Sequence, residues 1–335
     1  MRSETMLKAR IFVMATALSV LTPNAAAAAP RFHSGMSSCR SSDAATRITG
    51  CTRVIERIDR ETKHNKVVAF FNRGDAYLAR SDYDKAIADF SRALEFDPKS
   101  SQVLLARALA YKGKGDFDRA LADCDAAIKA KPQDALAYLG RGGVYYAKGD
   151  RDRAIADFSE AVKINPKYAP AYSARAVSWR AKGDTDKELA DLDEAVKLER
   201  RGVSALAARG AFYQAKGDHN RALADFNEAV RRAPKSATAH DDRGLVYHSK
   251  GELDRAIADF GAAIKLDPSL ASAYLNRANA LRGKKEAARA KADYETALKL
   301  RPDLAAAKKG LQEVEKYLAG KAAAPPPLPS QEPRR

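Results

Sequence analysis

The sequence predicts an all-α solenoid, seven tandem helix-turn-helix units stacked in line between two capping helices. Three observations lead there. Prolines recur with a spacing of 34, at Pro98, Pro132, Pro166, Pro234, Pro268 and Pro302, and Arg200 stands in the one skipped place. Aligned on that period, unit after unit carries small residues at the same positions and large ones at others. Composition agrees, because 45% of the 335 residues are hydrophobic but only 7% aromatic, and alanine is abundant. Small helix-forming residues suit closely packed helices over a sheet core.

The register places seven units over 67–304, with the proline at position 32 of each. Position 27 is Ala93, Ala127, Ala161, Ala195, Ala229, Ala263 and Ala297. Position 20 is alanine except for Glu188. Position 24 is Phe90, Cys124, Phe158, Leu192, Phe226, Phe260 and Tyr294, and position 8 is glycine or alanine from Gly74 to Ala278. Position 11 runs Tyr77, Tyr111, Tyr145, Trp179, Tyr213, Tyr247 and Leu281. Small positions let two helices approach and the large ones fill the space between them. A first helix over positions 1–14 is followed by a turn such as Lys148-Gly149-Asp150, where glycine takes the left-handed cap and aspartate caps the next helix. Apolar residues at 20, 21, 24, 27 and 28 trace the stripe of a second helix, which the proline ends.

This pattern resembles the tetratricopeptide repeat: a large residue at position 4, Gly or Ala at 8, Tyr at 11, Ala at 20, an aromatic at 24, Ala at 27 and Pro at 32. The resemblance covers Val67 to Leu304. It implies a right-handed superhelix whose first helices line a concave groove that binds peptides or proteins. It also implies that positions 5, 9 and 12 face the groove. Some co-chaperones of the family grip a C-terminal carboxylate with Lys at 5 and Asn at 9. No unit here has that pair, so no carboxylate clamp is expected.

The flanks read differently. Residues 1–28 resemble an export signal: Lys8 and Arg10, the apolar run Ile11 to Leu21, the break at Pro23 and small residues from Ala25 to Ala29. Eleven apolar residues are too few for a spanning helix, which needs about 20, although an uncleaved anchor is the alternative. Met36-Ser37-Ser38 before Cys39 is not a lipoprotein signal. Residues 29–66 form an N-terminal segment with a capping helix over 43–58, its apolar face Ile48, Cys51, Val54, Ile55 and Ile58. Export favours a Cys39–Cys51 bridge over two free thiols or pairs between chains. Cys124 reads as a small core residue. Residues 305–319 cap the last unit with Leu311, Val314 and Leu318 inward, and 320–335 make an extended Pro-rich tail.

One departure from the family pattern is systematic. Position 7, usually Leu, is Arg in all seven units: Arg73, Arg107, Arg141, Arg175, Arg209, Arg243 and Arg277. Position 23, often Tyr, is Asp in all seven: Asp89, Asp123, Asp157, Asp191, Asp225, Asp259 and Asp293. Opposite charges on facing helices predict a pair within each unit, or failing that with the neighbour, because the guanidinium fork matches a carboxylate. Seven identical contacts suit a frame better than a ligand grip.

Candidate binding residues are those that vary from unit to unit at positions 5, 9 and 12: Asp75, Leu105, Leu109, Lys112, Leu139, Tyr146, Val177, Arg180, Gln214, Asp241, His248, Asn279 and Arg282. They are apolar or small in the middle of the array and polar toward its C-terminal end, which suits a peptide with apolar side chains. Catalytic motifs are absent, no phosphate-cradling loop is present, and dispersed histidines (His240 and His248 apart) suggest no metal. No cofactor and no enzyme activity are expected.

The net charge is +16 and stays strongly basic without the signal. Export argues against nucleic acid as partner and leaves proteins, anionic envelope polymer or membrane surfaces. The expected protein is thus an exported scaffold or adaptor in the periplasm, or secreted. The alternatives are a basic factor docking on envelope polymer or membrane, and a non-catalytic subunit of a secretion or assembly complex.

Overall fold

A computed structural model describes residues 34–322, and over them the chain is helical throughout, without strands. The stretch read as an export signal and most of the Pro-rich tail lie outside the described residues. The chain divides into two compact units, the first ending at Pro166 and the second beginning at Lys167.

The first unit holds α1 (Ser34–Cys39), α2 (Ala44–Ile55), a short 3-10 turn (Ile58–Arg60), α3 (Lys63–Ala79), α4 (Tyr83–Phe96), α5 (Ser101–Lys114), α6 (Phe117–Ala130), α7 (Ala135–Lys148) and α8 (Arg151–Ile164). The pairs α3–α4, α5–α6 and α7–α8 are three repeats. Within this unit each helix packs on the next, and the first helices of adjacent repeats also touch. The core runs through Phe70, Phe90, Leu104, Leu105, Tyr111 and Val144 with the alanines of positions 20 and 27 among them. The disulfide Cys39–Cys51 ties α1 to α2, and both cysteines are buried with Val54.

In the first unit two boundaries differ from the sequence reading. The capping helix stops at Ile55 rather than 58. The first helix of the first repeat begins at Lys63, four residues early, because the Thr62 side chain accepts from Asn65 N at 3.2 Å and no proline blocks the preceding turn.

The second unit holds α9 (Ala169–Lys182), α10 (Thr185–Leu198), α11 (Ser204–Ala215), α12 (His219–Arg232), α13 (Ala237–Ser249), α14 (Leu253–Leu266), α15 (Ala271–Gly283), α16 (Ala287–Leu300) and α17 (Ala305–Ala322). Four repeats and a capping helix result, and the cap runs to Ala322 instead of ending at 319. Val314 and Ala307 are buried against Tyr294 and Leu281. Where Arg200 replaces the expected proline, the turn is held by side chains. Arg232 Nη1 donates to the carbonyls of Glu199 and Gly202, and the Glu199 carboxylate accepts from Ala205 N at 2.6 Å.

In both units the turn between the helices of a repeat needs a left-handed residue. Glycine supplies it in five repeats, as at Gly149 with φ 93°. Ser81 and Lys285 adopt φ of 59° and 62° at the same place in the first and last repeats.

Candidate functional site

Each repeat is fixed internally by charge. In all seven, the arginine of position 7 makes a two-pronged bond to the aspartate of position 23 in its own repeat, with Nε and Nη2 on the two carboxylate oxygens at 2.7–2.9 Å. The aspartates are buried. The guanidinium's remaining nitrogen reaches back to the preceding repeat: Arg141 to Asp125, Arg209 to Asp193, Arg107 to Ser91 and Arg243 to Asn227. These bonds push the Arg141 guanidinium's pKa still higher, first through Asp157. In these four repeats the arginine fixes both the helix pair and the step to its neighbour, while Arg73 reaches Thr52 of α2 and Arg277 faces Gly261, which offers no side chain.

A second repeated cluster follows the turns. The acid of position 16 bonds the cation of position 19, which lies over the aromatic ring of position 11. Examples are Asp116, Arg119 and Tyr111, with the guanidinium 4.8 Å from the ring centre, and Asp184, Lys187 and Trp179 at 4.5 Å. Lysines of position 14 also reach the acid of position 18 one repeat back, as Lys148 does Asp118 at 2.7 Å. Many of the basic residues are thus neutralised on the protein itself.

The variable positions divide into three groups. Leu105 and Asp241 correct the sequence reading, because both are buried. At these two places position 5 packs beneath the following repeat, whereas Leu139 at the same position is only half-buried. Leu105 joins the core near Cys124, and Asp241 accepts from Asn276 at 2.9 Å and Ser272 at 3.2 Å.

A second group is partly exposed but occupied. Asp75 pairs with Arg47 of α2, Arg180 with the buried Glu188, and Arg282 with Glu313 of α17. Asn279 accepts from the Tyr294 hydroxyl at 2.7 Å, and the ring of Tyr146 carries the Arg151 guanidinium 4.0 Å from its centre. Burial raises the Glu188 carboxyl, and Arg180 works against that rise.

The third group is half-exposed. In the first unit it comprises Leu109, Leu139 and Lys112, and in the second Val177, Gln214 and His248. Burial, with Arg282 nearby, lowers the His248 imidazole and favours its neutral form at neutral pH. The half-exposed first-helix positions are therefore mainly leucine in the first unit, with Lys112 among them, and mixed in the second, where Gln214 and His248 stand beside Val177. Among the described residues no cluster of histidine, cysteine and acid side chains could hold a metal ion, and no helix is long and apolar enough to cross a membrane. Burial pushes the Cys124 thiol up to about 12, so it stays protonated and is a poor nucleophile.

Known proteins share this architecture. Tetratricopeptide-repeat family models match residues 67–100, 105–169, 144–205, 203–236, 244–284 and 271–304. Yeast Tom70 superposes with a TM-score of 0.74 at 16% identity, covering 96% of this chain and 72% of that one. A tetratricopeptide repeat protein from Parabacteroides merdae gives 0.54 at 17% identity, covering 75% and 99%. The Cut9–Hcn1 hetero-tetramer of the APC/C gives 0.57 at 16% identity over 82% of this chain, which spans 53% of that one, about half its length. At such identities the likeness is one of fold. No curated protein matches the sequence.

Proposed function

The chain belongs to the tetratricopeptide repeat family, and from that premise we propose that it is an exported, non-catalytic scaffold that holds a peptide or protein segment against its first-helix faces. The family's fold suggests a protein-interaction scaffold. One observation carries the finer reading: frame positions repeat in every unit and are bonded internally, whereas Leu109, Leu139, Val177 and Gln214 vary and keep exposed surface. Varied side chains, mostly apolar, on a rigid frame give a binding face both contact area and selectivity.

Export to the periplasm rests on the basic and apolar start of the sequence and is supported by the Cys39–Cys51 disulfide, which persists in an oxidising compartment.

The test is site-specific photocrosslinking in the envelope fraction. A crosslinker at Leu109, Leu139 or Val177 should capture a discrete partner, whereas one at the exposed Lys129 or Lys197 should not. Capture should persist in about 1 M salt, where the screening length falls to about 3 Å. Equal capture from both sets of positions, or collapse in salt, would overturn the proposal.

A further inference from the structure

Lys112 is the one charged side chain at the variable first-helix positions that has neither a counter-charge nor a hydrogen-bond partner for its ammonium among the described residues. Asp75, Arg180 and Arg282 are all paired within the chain. Lys112 lies where three substitutions have removed bulk. Gly143 in the next repeat leaves position 9 without a side chain, and the lysine Nζ sits 3.8 Å from where its Cβ would be. Cys124 replaces the larger residue found at position 24 elsewhere, and at Gly140 a Cβ would lie 3.3 Å from Leu105 Cδ2, which takes up that space, and 3.8 Å from the thiol. Leu109 shares the lysine's helix face one turn away.

We propose that Lys112 is the specificity-determining residue of the binding face in the first unit, and that it receives one acidic side chain carried within an otherwise apolar peptide segment. The inference rests on the binding role proposed above and names the chemistry of its ligand. A half-buried cation without a counterion is costly, and a ligand carboxylate would supply the missing charge. Burial holds the Lys112 ammonium below the ordinary lysine value, a sign of that cost. A single carboxylate balances one ammonium, whereas a phosphate group would add excess negative charge in desolvated surroundings. The leucine and glycine neighbours offer no partner for a backbone amide, so a side chain on an apolar stem fits better than a chain terminus.

The test uses the full chain and pools of acetylated, amidated nonapeptides with a fixed central residue and random apolar flanks. Glu-centred and Asp-centred pools should bind about tenfold more tightly than the Gln-centred pool, the size of one charge-assisted hydrogen bond. Lys112→Met should abolish that preference while leaving Gln-pool binding intact, and Lys112→Arg should keep it. Lys112→Met should also raise the thermal midpoint, because it removes an unpaired cation. Equal binding of Glu and Gln pools would overturn the inference and leave the binding role standing, and failure of every pool would count against both. A preference for phosphoserine, or for a free terminal carboxylate on the Gln pool, would also overturn it, as would a lower midpoint in Lys112→Met.

Discussion

A Cβ on Gly142 would lie 2.6 Å from Cε1 of Phe158. The same closeness joins Gly74 to Phe90, Gly210 to Phe226 and Gly244 to Phe260. Where position 24 is smaller, as at Cys124 and Leu192, position 8 carries the extra methyl as Ala108 and Ala176. Volume is thus conserved across the helix pair in the first six repeats, while in the last Tyr294 stands with Ala278 and its ring lies against Gly310 of α17. Gly142→Ala should destabilise the first unit by about 1–3 kcal/mol through overpacking. Phe158→Leu alone should cost about 1 kcal/mol, and the double variant should be more stable than the two losses added together. Urea denaturation of the four proteins measures the coupling, and simple additivity would refute the packing relation.

The Arg141–Asp157 pair makes a different prediction. Asp157→Ala leaves a partly buried guanidinium with only Asp125 to answer it and should cost about 3 kcal/mol, toward the low end for a buried pair because the arginine keeps some solvent contact. Replacing both partners by the apolar residues common at these positions elsewhere in the family, Arg141→Leu with Asp157→Tyr, should cost far less. Small and equal losses would show that the ladder is too exposed to fix the helix pair.

Ser81 and Lys285 carry the left-handed turn that glycine carries in the other five repeats. Ser81→Gly and Lys285→Gly should each stabilise by up to about 1 kcal/mol, since backbone strain is relieved at a site already fixed in shape. Differential scanning calorimetry reads the shift. A fall in midpoint would mean that unfolded-state entropy outweighs the strain.

The frame was legible because it repeats. Seven arginines and seven aspartates in constant register point to each other from spacing alone, and the helix boundaries within the repeats follow from the glycine turns and prolines. The acid, cation and ring of positions 16, 19 and 11 repeat just as plainly. Sequence reading assigns the turn aspartate to a cap and the ring of position 11 to packing, which leaves the cation of position 19 without a role. The variable face was read less well for a physical reason. Asp75 and Arg282 are satisfied by Arg47 and Glu313, which lie in capping helices outside the period, so no spacing rule reaches them. Leu105 varies like a surface residue yet is buried, because Gly140 of the next repeat has no side chain and leaves the space that Leu105 Cδ2 fills, 3.3 Å from where a Cβ would be.

Glu188 breaks the alanine rule at position 20 and gives the second unit a pH signature. The carboxyl is buried, and burial raises it above the ordinary value of 4.5, with Arg180 and Lys216 opposing. A raised carboxyl binds its proton more tightly folded than unfolded. Its contribution to stability is therefore complete below pH 4.5 and is lost as pH rises through the shifted value. Glu188→Gln keeps the shape and cannot ionise. The thermal midpoint of the variant relative to the natural chain should rise as pH is taken from about 4 to about 7, over the window the shift defines. A difference that stays flat across this range would mean that Arg180 fully offsets burial. A difference that falls would mean that the ion pair dominates, and Arg180 would then be an anchor of the fold, unavailable to any ligand.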